Sequence, residues 1–92
     1  MKATAEIQVV PIGVGTSVRK QVQRAHELIA ASGLQVQLHA FGTNVEGELG
    51  DILEVVRKVH ETLHEDGVVR MTSAIKIGTR TDKEPTLAGK LF

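Results

Sequence analysis

Ninety-two residues with eleven basic and eleven acidic side chains carry no formal net charge, so no long-range field draws nucleic acid or an anionic membrane. The absence of cysteine excludes disulfides and thiolate metal sites, and two aromatic residues, Phe41 and Phe92, leave little for base stacking. The length suits one domain, residues 1–92, with a modest core that association with further copies would help stabilise. Along the chain, Ala3, Ala5, Ile7 and Val9 alternate with Thr4, Glu6 and Gln8, which predicts a strand over residues 3–9 with one buried face. "PIGVGTS" ends that strand at Pro11, and Ser17 is the expected N-cap of the following helix. Val18, Val22, Ala25 and Ile29 then recur at helical spacing, up to a stop at Gly33.

Alternation resumes in "LQVQLHA", with Leu34, Val36 and Leu38 set against Gln35, Gln37 and His39. A turn at Gly42 leads into a short strand, residues 43–47. A second helix follows from the spacing of Leu49, Ile52, Val56, Val59 and Leu63, and Gly67 closes it. In "VVRMTSAIKI", Val69, Met71, Ser73, Ile75 and Ile77 face one way, and Arg70, Thr72, Ala74 and Lys76 the other. The remainder, residues 79–92, has no period and reads as an extended tail that packs on another subunit.

The order strand–helix–strand–strand–helix–strand predicts an α+β, ferredoxin-like βαββαβ domain, a four-stranded antiparallel sheet with both helices on one face. The other face would display Thr4, Glu6, Gln8, Gln35, Gln37, His39, Asn44, Glu46, Arg70, Thr72 and Lys76. Such a face is either plainly solvated or a polar pocket closed by a second copy. Carboxylates, amides and cations together suit directed hydrogen bonds to a small polar ligand.

Three stretches invite a chemical reading. "HETLH" has the H-E-x-x-H spacing that puts two histidines on one helix face for zinc. A third ligand is missing, because Arg70 stands where the longer protease signature has a histidine, and Glu61 points away from the apolar stripe. "GVGTS" precedes a helix but matches neither a dinucleotide fingerprint nor a P-loop. Ser17, Ser32 and Ser73 lack a nucleophile-elbow context. His26 reads as an ordinary surface residue and His39 as a pocket-lining candidate. The N-terminus is no signal peptide, and no apolar run approaches the ~18 residues of a membrane helix. A cytoplasmic protein is expected.

At "GTNVEGEL" and "IKIGTRTDK" the chain resembles the small thiamine-binding protein family. The first matches that family's Gly-Thr-x-x-Glu-Gly element at Gly42, Thr43, Glu46 and Gly47. The second is similar to its Ile-Lys-Ile strand end and basic turn, here Lys76, Arg80 and Lys83. "AEIQVVPIGVGTSV" resembles its opening strand and Pro-x-Gly turn. The chain departs from the family pattern at Ala40, at Gln37 and His39, and at Gly78. The resemblance implies a ferredoxin-like homo-oligomer, a dimer or tetramer, that binds thiamine or its hydroxymethylpyrimidine half and has no established reaction. The expected protein is therefore a binder and not an enzyme, with no cofactor, metal, nucleic acid or membrane partner. Its expected ligand residues are Glu46, Thr43, Asn44, Gln8, Phe41, Arg70, Thr72 and Lys76, with Glu46 the main orienting group. The alternative is a regulatory or interaction module of the same fold, with a different effector or a protein partner.

Overall fold

A computed structural model describes residues 1–15 and 18–91. The chain forms β1 (Lys2–Ile12), α1 (Arg19–Ala30), β2 (Gln35–His39), β3 (Gly42–Glu48), α2 (Leu49–Glu65) and β4 (Arg70–Gly78), then a 3₁₀ turn at Ala88–Lys90. The strands are antiparallel in the order β2-β3-β1-β4, so the fold is the expected ferredoxin-like one.

The core lies between one sheet face and the two helices. Ala3, Ala5, Ile7 and Val45 from the sheet meet Ala25 and Ile29 of α1 and Ile52, Val55, Val59 and Leu63 of α2. Spacings of three and four residues put these α2 side chains on one stripe, which the two-residue alternation of the strands meets. Burying each large aliphatic contributes roughly 1.5–3 kcal/mol. The coverage is incomplete at both edge strands. Leu38 of β2 and Ile75 and Ile77 of β4 have the helix-facing parity yet remain exposed, because neither helix reaches over them.

Several local expectations change. β1 continues through Pro11, which pairs with Met71. Beyond Ile7 the strand has β4 on one side and no β3 partner on the other, the edge setting in which proline is tolerated. The N-cap role expected of Ser17 lies outside the described residues. Val69 is exposed, and Val68 enters the core in its place. The cause is the end of α2. Gly67, at φ +105°, donates its N–H to the His64 carbonyl, and the Val68 N–H reaches the Leu63 carbonyl at 3.0 Å. That is a Schellman closure, whose apolar contact joins Leu63 to Val68. Strand alternation starts only at Arg70.

The same closure engages a histidine of the zinc-like spacing. His64 Nδ1–H donates to the Val68 carbonyl at 2.6 Å, and His60 Nε2 meets Ser73 Oγ. Arg57 pairs with both Glu54 and Glu61, holding the Glu54 carboxyl below its ordinary range. Among the described residues, no three histidine or acidic side chains converge on a common point.

Candidate functional site

Ladder register decides which polar side chains meet on the open face. Glu6 of β1 lies between Asn44 of β3 and Lys76 of β4, and Gln37 of β2 lies opposite Asn44. Thr4 stands two residues before Glu6, opposite Glu46 and Gly78. A cleft of about 380 Å³ opens over this group. Thr4, Glu6, Gln37, Asn44, Lys76 and Gly78 form its floor, and Leu87, Lys90 and Leu91 form its wall.

That wall is the tail. Residues 79–91 double back over their own sheet, with Pro85 buried. One hydrogen bond anchors the return. The Leu87 N–H donates to Glu46 Oε1 at 2.7 Å, across 41 positions of sequence. Glu46 Oε2 lies 3.8 Å from Lys2 Nζ, which also reaches Glu84 at 3.7 Å. Glu46 is left 9 % exposed, so this carboxylate holds the tail and does not face the cleft. Further along, the Arg80 guanidinium grips Asp82 and holds its carboxyl down at about 2.

The floor has a fixed polarity. The Phe41 N–H donates to His39 Nδ1, so the neutral His39 ring carries its proton on Nε2. That nitrogen is 3.1 Å from Asn44 Oδ1 and 3.4 Å from Glu6 Oε2. Asn44 Nδ2 in turn points at Gln37 Oε1, 3.5 Å away. The chain of contacts orients Asn44 and draws Glu6 towards β2. Thr4 Oγ1 is the exception, buried with no hydrogen-bond partner.

The eight residues expected from the sequence are therefore divided. Asn44 and Lys76 line the cleft, with Glu46 immediately beneath the tail. Gln8, Thr72 and Arg70 share the face but continue away from it; Arg70, opposite Ile12, lies about 20 Å along β4 from Lys76. Thr43 lies on the other face. It pairs with Ile7, so its side chain belongs to the helix-facing side and is buried. Phe41 sits at the tip of the β2–β3 turn, 78 % exposed.

Gln8, Phe41 and Thr43 border a second cavity, of about 300 Å³, under α1. His26 also lines it, with Nδ1 buried and unpartnered, and is only half exposed at most, not the open surface residue expected. A larger hollow, about 600 Å³, lies between the polar face of α1 and the C-terminal end of α2. It contains none of the expected residues and is bridged by Arg24 and Asp66. The sequence reading gave Thr4 and Gln37 no ligand role, although parity had placed both on the open face beside Glu6. It also missed Leu87, Lys90 and Leu91, which no period marks.

Comparison with known proteins follows the same lines. The family described as thiamine-binding protein matches residues 5–92. A UPF0045 protein of Synechocystis is 38 % identical over 91 residues, covering 99 % of this chain and 75 % of the relative. A hypothetical protein of Methanocaldococcus jannaschii, solved as a crystal structure, superposes with a TM-score of 0.89 at 39 % identity, covering 97 % of this chain and 91 % of the other. A Thermotoga maritima protein proposed to act in thiamine biosynthesis or salvage superposes with a TM-score of 0.88 at 25 % identity, covering 99 % and 96 % of the two chains. No helix among the described residues is long and apolar enough to cross a membrane.

Proposed function

On the premise that this chain belongs to the thiamine-binding protein family, we propose that it is a non-catalytic, cytoplasmic binding protein that takes thiamine or its hydroxymethylpyrimidine half into the open-face cleft. The observation that carries the reading is the array of Glu6, Asn44 and Gln37 on the floor. An aminopyrimidine has an exocyclic amine that donates and ring nitrogens that accept. The Glu6 carboxylate and Gln37 Oε1 are acceptors for the amine. The amide N–H groups of Asn44 and Gln37 are donors for the ring. A thiazolium cation gains further from the Glu6 charge.

Glu6 thus takes the part the sequence gave to Glu46, which serves the ligand indirectly by holding the tail wall. The neighbouring stretch of the open face, with Val10 and Ile12 exposed, is the surface on which a second copy would close the cleft, giving a dimer or tetramer. Isothermal calorimetry with thiamine and with hydroxymethylpyrimidine tests the reading. Asn44→Ala is expected to weaken both at least tenfold, the loss of one or two buried hydrogen bonds. Unchanged affinity in that variant removes the cleft as the site. Light scattering of the same samples reports the assembly.

A further inference from the structure

We propose that the end of the cleft bounded by Thr4, Lys76 and Lys90 is an anion subsite, built for the phosphate of a phosphorylated ligand. Only the identity of the rest of that ligand rests on the aminopyrimidine reading.

Pairing of charges around the cleft points to it. Lys2 pairs with Glu46 and Glu84, and Arg80 with Asp82. Lys76 and Lys90 both line the cleft, and neither has a carboxylate within 4.0 Å among the described residues. Glu6 is the cross-strand partner of Lys76, yet its carboxylate lies 3.4 Å from His39 Nε2 and forms no ion pair with that lysine. Two cations from different elements, β4 and the tail, therefore line one cleft with neither held in an ion pair, while the cleft's own carboxylate, Glu6, is turned towards His39.

Thr4 supplies the second, independent observation. Its side chain is 2 % exposed and Oγ1 has no partner, on the floor of the same cleft. Native proteins pair nearly all such groups, so an orphan hydroxyl beside a cavity marks an absent partner. Its position agrees with that of the lysines. A Cβ built on Gly78 would stand 3.3 Å from Lys90 Nζ and 3.5 Å from Thr4 Oγ1. Both groups thus converge on the same glycine, whose missing side chain lets them approach it. A phosphate offers several acceptor oxygens and a charge near −2, which match two ammonium donors and one hydroxyl donor. The two poles of the cleft then have separate tasks, with Glu6, Asn44 and Gln37 for the ring and Thr4, Lys76 and Lys90 for the anion. Since Lys90 is carried by the tail that Glu46 anchors, Glu46 acts as a positioning residue for the anion.

Calorimetry on the full chain tests this with three probes: hydroxymethylpyrimidine, its monophosphate, and inorganic pyrophosphate. The monophosphate is expected to bind at least tenfold more tightly than the free alcohol, with a marked salt dependence. Lys90→Gln and Lys76→Gln, both at exposed positions, are each expected to pull that ratio towards one. Gly78→Asp would place a carboxylate among the same donors and abolish the preference. Glu46→Ala is expected to lower the ratio as Lys90→Gln does. Equal affinity for alcohol and monophosphate overturns the subsite while leaving the binding function intact. A preference that survives both lysine changes overturns it as well. Pyrophosphate binding that is lost in Lys90→Gln, with no affinity for any pyrimidine, keeps the subsite and removes the aminopyrimidine reading. If no probe binds, both fail.

Discussion

Thr4→Val separates the ligand argument from ordinary packing. Valine has nearly the shape of threonine, keeps the β-branched side chain a strand favours, and exchanges the hydroxyl for a methyl group. At a position 2 % exposed and without a hydrogen-bond partner, the hydroxyl is buried at a cost of about 1–3 kcal/mol. No cavity is created, so the usual penalty of a core truncation does not arise. The ligand-free variant is therefore expected to be more stable than the parent by about 1 kcal/mol, which is roughly 4–8 °C in melting temperature for a domain of this size. The sign reverses when ligand is added. At 100 times its dissociation constant a ligand stabilises by about 2.7 kcal/mol, and a variant that has lost the hydroxyl contact retains less of this. Urea melts at fixed protein concentration, with and without the monophosphate probe, read both effects from the midpoint while the slope stays constant. A ligand-free Thr4→Val that melts earlier than the parent refutes the reasoning, because it means that the hydroxyl already has a partner. Stabilisation with undiminished ligand response would leave the orphan real but unconnected to binding.

Two further changes probe the frame around the cleft. Gly42 begins β3 so close to β1 that a Cβ would lie 2.7 Å from the Ile7 carbonyl oxygen, a backbone atom that cannot move aside. Gly42→Ala is expected to cost about 1–3 kcal/mol, and an unchanged urea midpoint would contradict that contact. In the tail, the Asp82 carboxyl is expected to titrate at about 2 in place of 3.8, because its hydrogen bonds with Arg80 favour the charged form. A lowered folded value means that the help from this pair is complete above 3.8 and is lost as pH falls towards about 2. Side-chain carboxyl shifts in an NMR titration report it directly, and Arg80→Ala should return Asp82 to the ordinary range.

What was legible in the sequence follows the physics of period and distance. A two-residue period assigns each strand position to a face, and the ladder then turns sequence position into neighbourhood. Glu6, Asn44 and Lys76 could be brought together from alternation and strand order alone, and the structure does so. Thr43 was grouped with the open-face residues against the same rule. As the neighbour of Asn44 it has to face the other way, and a matched motif element outweighed parity. Val69 shows where the rule ends, since alternation was extended through a helix closure that obeys different geometry. The tail was illegible for another reason. Beside the Lys2–Glu84 ion pair, its path rests on a long-range hydrogen bond from Leu87 to Glu46, and a contact across 41 positions leaves no periodic trace. Yet this contact decides the chemistry of the cleft. It turns the Glu46 carboxylate to the tail and brings Lys90 beside Gly78 and Thr4 at one end of the cleft. Local patterns could identify the floor of the site, but its charge depended on a segment that local patterns could not position.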